Sequence, residues 1–428
     1  MIEEKEYLRI KEENERLKTA ISELAILNEI ATTISSTIEL DKIIETIIKK
    51  CIQHFKVEQG NISLIKESEM IVPLQTMVRQ YDSVAGKIPF RLDQQLIGWM
   101  LTKKEPLIIN DIATDKRFSS FAGETPYNSL IAVAMIYKSK IIGVLSLYNK
   151  RNKEEFNQND LRLLSIVAAE SSQVIENARL LEEEKNLMSV KEELRISGQI
   201  QQKLLPERLP DIAGYQIAAV NIPATEVGGD YYDIIPLPDH KVAFCFGDVS
   251  GKGIPASLLM SNIQATMRTL LLSRNDPALI ITRANNLIHA STTSEKYITF
   301  FLAILETSNN NLTYCNAGHD NPFHIKGSNI ENLQPGGIPL GFLSDFDYTS
   351  TCTPLSSNDV IVIYTDGVTE AMNQMDEEFG LERLKNTLMN NKSANAQQIL
   401  DALLKAINKH TEGSPQMDDI TLVILKKE

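Results

Sequence analysis

The second half of the chain consists largely of short hydrophobic runs, each bordered by an aspartate. After Pro210 there are four such places: Asp230 behind Gly228-Gly229, Asp248 behind KVAFCFG, Asp366 behind DVIVIYT, and Asp418-Asp419 ahead of ITLVIL. A single aspartate at a strand end is usually a turn former. If the strands converge, however, the carboxylates converge as well, and like charges held that close require cations. Oxygen ligands without a nearby His or Cys cluster favour Mg²⁺ or Mn²⁺ over zinc.

Length and charge limit the function classes. A chain of 428 residues exceeds one ordinary domain, so we expect two or three domains with separate cores. The net charge of -13, without a Lys/Arg cluster, argues against a nucleic-acid partner. The four cysteines lack CxxC spacing, as in reduced cytosolic proteins. The N-terminus lacks a signal-peptide core and the longest apolar runs are strand-sized, so we expect a soluble, cytoplasmic protein without membrane contact.

Residues 1–23 carry a seven-residue period that predicts an N-terminal coiled-coil helix. The apolar positions of this period are Tyr7, Ile10, Leu17, Ile21 and, just beyond, Leu24. Such a seam predicts pairing with a second copy of the chain. The alternative is an amphipathic helix that packs on the following domain.

Residues 24–179 follow the order helix, strands, helix, which predicts one α+β domain. The predicted elements are a helix over 41–55 capped by Asp41, strands over 61–65, 129–136 and 141–148, and a helix over 160–178. A turn at residues 138–140 joins the last two strands into a hairpin.

The phrases GVLSLYNK and FNQND, followed by a long exit helix, resemble a GAF sensor domain. Asn149, Lys150, Phe156 and Asp160 match the cyclic-nucleotide-binding members, but Leu161 stands where those members have Glu. The resemblance implies a GAF α/β fold over residues 24–179 and an unknown small-molecule or protein signal, while the departure argues against a cyclic nucleotide. A ligand-free dimerisation domain is the alternative.

Residues 180–205 predict a connecting coiled-coil helix. Leu180, Leu187 and Leu194 recur at seven-residue spacing in a segment rich in Glu, Lys and Leu, and Pro206 ends the pattern. The spacing favours pairing across a homodimer, so the helix is expected to transmit a signal to the domain that follows. A stiff spacer is the alternative.

The second half also carries an ordered series of longer motifs. In chain order they are IQQKLLPERLP, PATEVGGDYYD, FGDVSGKGIPASLLM, TFFLAIL, YCNAGHDNPF, YTDGVTEAMN and MDDITLVIL. This series resembles the SpoIIE/RsbU-type branch of the PPM (PP2C-like) protein serine/threonine phosphatases. The resemblance implies a PPM-type αββα sandwich over residues 206–428, with a two-metal centre at one end, within an α+β multidomain chain.

By that resemblance the four aspartates are both the metal ligands and the catalytic residues. Asp248 would bridge two Mn²⁺ or Mg²⁺ ions, and Asp366 and Asp418 would hold the first ion. Asp230 would serve the second ion, whose shell the carbonyl of Val249 completes. The implied chemistry is attack of a metal-bridged hydroxide on phosphorus, without a covalent intermediate.

Other positions near these motifs leave choices to be made. Asp418 is preferred over Asp419 because the first acid of MDD is the ligand in the family. Animal-type members have Asp-Gly-His-Gly where this chain has DVSG, so their proposed general acid is missing. We interpret His319 as ordering its own turn. We interpret Lys252 as a surface lysine, with a phosphate contact as the alternative.

The resulting function is dephosphorylation of a phosphoserine or phosphothreonine regulatory protein. The resemblance implies an anti-sigma-factor antagonist of STAS fold as substrate. A helix predicted over residues 254–272 follows Asp248 closely. We hypothesise that the connecting helix regulates activity by repositioning this segment, and with it Asp248 or Val249. The alternatives are a catalytically decayed signalling module and a small-molecule phosphatase. A diguanylate cyclase is disfavoured, because Tyr231-Tyr232 follow Asp230 where that family has Glu-Phe.

Overall fold

The structure, a computed structural model, describes residues 39–65, 90–118, 127–151, 154–273, 275–292, 296–334 and 336–428, with isolated helical positions between residues 6 and 21. The chain forms two compact units, Met1–Met188 and Ser189–Glu428. Both units mix helices and strands, which confirms the mixed α/β, multidomain class. The N-terminal coiled coil falls almost entirely outside the described residues and stays a prediction. No described helix is both long enough and apolar enough to span a bilayer.

The first unit is built on a four-stranded antiparallel sheet. Its elements are α1 (Leu40–Phe55), β1 (Val57–Leu64), α2 (Phe90–Lys103), β2 (Leu107–Ile109), β3 (Leu130–Tyr137), β4 (Lys140–Lys150) and the first part of α3 (Gln158–Gln202), with strand order β1-β4-β3-β2. Ile44, Ile47 and Ile48 share one face of α1 and are buried in the same cluster as Leu145 and Leu147 of β4. The helical spacing of isoleucine therefore gives α1 its packing face.

The predicted elements of this unit are present, with shifted ends. The first strand begins at Val57 rather than at Asn61. The prediction that Asp41 caps α1 is wrong, because Leu40 is already helical and the N-cap residue is Glu39, which makes no side-chain capping hydrogen bond. Asp41 lies in the first turn, where a carboxylate interacts favourably with the helix dipole.

A single helix, α3, covers both the predicted closing helix and the predicted connecting helix. It runs without a break from Gln158 in the first unit to Gln202 in the second. Leu180 and Leu187 of the predicted seam are 46% and 71% exposed in the single chain. Pairing of this seam in a dimer stays a prediction.

The second unit contains two five-stranded antiparallel sheets with the orders β11-β10-β13-β14-β5 and β12-β9-β8-β7-β6. Its elements are β5 (Tyr215–Ile222), β6 (Tyr231–Leu237), β7 (Lys241–Val249), α4 (Ile254–Leu271), α5 (Pro277–Ser291), β8 (Ile298–Glu306), β9 (Asn311–Ala317), β10 (Phe323–Lys326), β11 (Asn329–Asn332), β12 (Thr351–Pro354), β13 (Val360–Tyr364), α6 (Asp366–Thr369), α7 (Gly380–Asn391), α8 (Ala396–Thr411) and β14 (Ile420–Lys427). The predicted helix over 254–272 is thus present as α4.

Alternating side chains sort the core of this unit into layers. Phe246 and Phe301 of one sheet pack with Ile363 and Val423 of the other. The outer face of the β6–β9 sheet is covered by α4 and α5, and the outer face of the β13–β14 sheet by α7 and α8. Period-two alternation explains this, because successive residues of a strand point to opposite faces.

Antiparallel pairing brings the aspartate-bearing strand ends together in two pairs. β6 begins beside the end of β7, so Asp230 lies next to Asp248. β13 ends beside the start of β14, so the segments that carry Asp366 and Asp418 are neighbours. The two pairs come from different sheets, and packing of the sheets brings them to one end of the unit, where the charges of all four interact.

Candidate metal centre

Asp230 is the most deeply buried of the four predicted aspartate ligands. Its carboxylate accepts hydrogen bonds from the hydroxyls of Thr365, at 2.9 Å, and Thr421. Burial, and after it the negative charge of Asp248, hold the pKa of Asp230 well above its usual range. The two threonines, one after β13 and one in β14, fix the position of this side chain from the opposite sheet.

Asp248 and Asp366 lie half-buried beside it. Burial, with the charges of Asp366 and Asp418, raises the pKa of Asp248 to about 7. Burial, with the charges of Asp418 and Glu370, raises the pKa of Asp366 to about 6. Burial and mutual repulsion thus both disfavour full ionisation of this cluster.

The adjacent acids Asp418 and Asp419 have different surroundings. Asp419 is buried, and its carboxylate accepts hydrogen bonds from the backbone N–H groups of Ala224, at 2.8 Å, and Gly229, at 2.7 Å. Asp418 is about one-third exposed, and its Oδ2 lies 2.8 Å from Nζ of Lys252. Asp419 thus holds the backbone segment before Asp230. Among the described residues, the only ion-pair partner of Asp418 is Lys252.

The glycine pair before Asp230 is required by close packing rather than by an unusual backbone angle. Neither glycine has a positive φ. A Cβ on Gly228 would lie 2.5 Å from Oδ2 of Asp419, and a Cβ on Gly229 would lie 3.2 Å from the carbonyl oxygen of Val249. The pair therefore lets the backbone approach both Asp419 and the predicted carbonyl ligand.

Asp233, the second acid of GGDYYD, has a structural role. Its buried carboxylate accepts hydrogen bonds from Nε of Arg268, at 2.7 Å, from the Tyr231 hydroxyl, at 3.2 Å, and from the backbone N–H of Ile234, at 3.0 Å. Since Arg268 lies on α4, this ion pair joins α4 to β6 and takes no part in the aspartate cluster.

The donor types in this cluster fit divalent cations. Among the described residues, no three His, Cys, Asp or Glu side chains are grouped tightly enough to hold a metal ion. The carboxylate of Asp230 faces threonine hydroxyls, and that of Asp418 faces Lys252. The ligand atoms are all oxygens, their charges repel one another, and an ammonium group already sits at one of them. Oxygen donors with negative charge are the ligands that Mn²⁺ and Mg²⁺ prefer, so the residues present fit such ions.

His319 is buried beside the cluster but is bonded at both ring nitrogens. Nδ1 lies 2.9 Å from the Thr299 hydroxyl and Nε2 lies 3.0 Å from the carbonyl oxygen of Tyr364, while its backbone N–H donates to Asn316. Burial lowers the pKa of His319 to about 4, so the ring is neutral at pH 7. These contacts fit the interpretation that His319 orders its own turn and leave no protonated imidazole for leaving-group protonation.

Several features of the candidate site were not identified from the sequence. A cavity of about 730 Å³ opens over Asp248 and Asp366 and is also lined by Asp320, Glu370 and Arg383. Lys252 is exposed, as predicted of a surface lysine, but its ion pair with Asp418 was missed. Thr365 and Thr421 were missed as well, because hydroxyl side chains at strand ends carry no distinctive sequence signal. Asp419 was considered only as the less favoured metal ligand, and its bonds to the backbone before Asp230 were not foreseen.

Two family models match the chain. SpoIIE, described as stage II sporulation protein E, matches residues 238–428, and the GAF domain matches residues 37–176. The chain is 32% identical to protein IcfG of Synechocystis sp. PCC 6803 over 259 residues, which cover 54% of this chain but 41% of that protein. It is 31% identical to the phosphoserine phosphatase RsbU of Bacillus subtilis over 247 residues, which cover 56% of this chain and 71% of RsbU.

A solved structure supports the fold of the second unit. The SiaA-PP2C domain of Pseudomonas aeruginosa matches with a TM-score of 0.51 and 20% identity, over 57% of this chain and 99% of that domain. Similarity at this level of identity concerns the fold alone.

Proposed function

Because the chain belongs to the SpoIIE/RsbU-type family of PPM (PP2C-like) protein serine/threonine phosphatases, we propose that it removes the phosphoryl group from a phosphoserine or phosphothreonine of a small regulatory protein. The observation that carries this proposal is the meeting of four strand-end aspartates from two sheets, with raised pKa values for Asp230, Asp248 and Asp366. By analogy with the family, the substrate is an anti-sigma-factor antagonist of STAS fold.

The proposed ligand set is Asp248 for both ions, Asp366 and Asp418 for the first, and Asp230 with the carbonyl of Val249 for the second. When bound, two Mn²⁺ or Mg²⁺ ions supply an activated water and neutralise charge on the phosphoryl oxygens. Occupancy is favoured because cations neutralise a cluster whose carboxyl pKa values are raised by burial first and by mutual repulsion second.

The chain itself contributes position and access. Thr365 and Thr421 orient Asp230, and Asp419 holds the backbone before it. The cavity over Asp248 and Asp366 has room for a phosphorylated side chain and its neighbours. Because His319 is neutral and bonded at both nitrogens, the leaving oxygen takes its proton from solvent or from another group.

The wider organisation belongs to the same proposal. The GAF domain receives a signal, α3 carries it to the αββα phosphatase domain, and the N-terminal and connecting helices pair in a cytoplasmic homodimer. The exposed leucines of the α3 seam support pairing, since an apolar stripe on a long helix is stabilised by a partner helix.

The test is hydrolysis of p-nitrophenyl phosphate by the full chain with Mn²⁺, Mg²⁺ or EDTA. We expect metal-dependent turnover that is lost in EDTA and in Asp248→Asn. The matched control is Asp239→Asn, an exposed aspartate in the turn between β6 and β7. Absence of both turnover and Mn²⁺ binding in the wild type would favour the catalytically decayed module.

Substrate class is tested separately. A phosphorylated STAS-domain protein and free phosphoserine are compared at equal concentration. Much faster release of phosphate from the protein supports the proposed substrate, and equal or faster release from free phosphoserine supports the small-molecule alternative.

A further inference from the structure

The last turn of α3 contacts the segment that leads to Asp230, residues 224–230, which we call the Asp230 loop. Nε2 of Gln201 donates a hydrogen bond to the carbonyl oxygen of Gly228 at 2.7 Å, and the N–H of Gly228 donates to Oε1 of Gln201 at 3.0 Å. One side-chain amide thus satisfies both backbone groups of one loop residue. A two-point contact of this kind fixes orientation as well as distance.

A second contact lies one turn earlier on the same face of the helix. A Cβ on Gly198 would lie only 2.0 Å from the carbonyl oxygen of Glu226, so the helix backbone itself rests against the loop. Residues three apart lie on one face of a helix, and so Gly198 and Gln201 act on the loop together. Any larger residue at position 198 would push the helix and the loop apart.

The opposite side of the loop is held by Asp419, through the N–H groups of Ala224 and Gly229. The loop is therefore clamped between a helix and a buried carboxylate. Gly228 contacts Gln201, and Gly229 contacts Asp419. Because these two glycines immediately precede Asp230, the backbone position of Asp230 depends on both contacts. By contrast, the hydrogen bond from Nε2 of Gln264 on α4 to the carbonyl oxygen of Leu204, just after α3, is long at 3.4 Å.

We propose that Gln201 is a positioning residue for Asp230: the end of α3 holds the Asp230 loop in the place from which Asp230 serves as a metal ligand. The proposal rests on the proposed function for the role of Asp230. Because α3 begins at Gln158 in the first unit, a signal that shifts or rotates the helix acts on Gly228 directly. The proposal therefore places the point of control at the Asp230 loop. The hypothesis from the sequence had placed it at α4.

The experiment measures Mn²⁺ binding to the full chain, from the free-Mn²⁺ signal in electron paramagnetic resonance. The variants are Gln201→Ala, Gln201→Glu and Gly198→Ala, and the matched control is Gln199→Ala, which alters an exposed glutamine of the same turn. We expect Gln201→Ala to weaken Mn²⁺ binding at the second site, which Asp230 serves, about tenfold, the lower end of the range for residues that orient a ligand. Gln201→Glu keeps the acceptor for the Gly228 N–H and is expected to show a smaller loss.

A second readout separates positioning from general damage. If Gln201 positions Asp230, the Mn²⁺ concentration for half-maximal hydrolysis of p-nitrophenyl phosphate rises with the same factor, and excess Mn²⁺ restores most of the wild-type rate. Gln199→Ala leaves both quantities unchanged. Wild-type affinity in Gln201→Ala and Gly198→Ala overturns the positioning role while leaving the phosphatase intact, and so does a rate loss that excess Mn²⁺ does not repair. A wild type that binds no Mn²⁺ overturns the proposed function itself.

Discussion

Replacing the two adjacent acids one at a time separates a metal ligand from a structural carboxylate. Asp419 is buried and accepts two short hydrogen bonds from backbone N–H groups of the Asp230 loop. In Asp419→Asn only one oxygen remains, and the new amide group faces the other N–H. Loss of a hydrogen bond to a charged acceptor costs about 1.5–3 kcal/mol, and an unpaired buried N–H costs about 1–3 kcal/mol. Removal of one negative charge from the cluster offsets part of this loss, because Asp419 helps to raise the pKa of Asp248.

The net expectation for Asp419→Asn is a loss of about 2–3 kcal/mol from the free energy of unfolding without metal. For a unit of this size that corresponds to a fall of about 5–10 °C in Tm. Asp418→Asn should change the metal-free stability by less than about 1 kcal/mol, because its partner Lys252 is exposed and such pairs contribute little. It should instead abolish most of the stabilisation by Mn²⁺, which for the wild type is about 2.7 kcal/mol at a hundredfold excess over Kd.

The assay is differential scanning calorimetry of the full chain in EDTA and in Mn²⁺. The transition that Mn²⁺ shifts in the wild type reports the second unit. A metal-free Asp419→Asn protein as stable as the wild type, with its Mn²⁺ shift lost, would exchange the roles of the two acids and refute the reasoning.

Two further predictions use the same unit. Burial lowers the pKa of His319 to about 4 from an unfolded value of 6.5, so its stabilising contribution is complete above pH 6.5 and is lost as pH falls toward 4. Between pH 7.5 and 5.5 in EDTA, the wild type should lose about 1 kcal/mol more than His319→Gln, and parallel pH profiles would contradict this. The raised carboxyl pKa values increase stability as the pH falls, but they do so in both proteins. The difference between the wild-type and His319→Gln pH profiles therefore reports the histidine alone. Lys252→Ala should tighten Mn²⁺ binding about 1.5- to 5-fold, since an ammonium group no longer competes at Asp418. The control Lys296→Ala removes a lysine that bonds the Ser250 carbonyl, and an equal gain there would mean that overall charge, rather than the ion pair, sets the affinity.

Local patterns were sufficient for the elements that carry the candidate site. The isoleucine spacing of α1 and the apolar spacing of α4 predict their helices, and hydrophobic runs that end at Asp248 and Asp366 predict β7 and β13. Local patterns work here because burial of one face dictates the helical or strand period directly. The predicted N-cap of α1 was wrong by two residues, at Asp41 instead of Glu39. Sequence patterns locate helix ends only to within one or two residues.

The sequence by itself determined which strand ends carry acids, but only the tertiary structure decided what each acid does. Asp230 and Asp233 stand three residues apart in one motif, yet one faces the opposite sheet and the other pairs with Arg268 on α4. Asp418 and Asp419 are adjacent, yet one faces Lys252 and the other the backbone of the Asp230 loop. Neighbouring residues at a strand end point in opposite directions, so their partners are set by whichever sheet, helix or loop packs on each side. Those partners lie between 35 and 195 positions away in the chain, where no local pattern reaches.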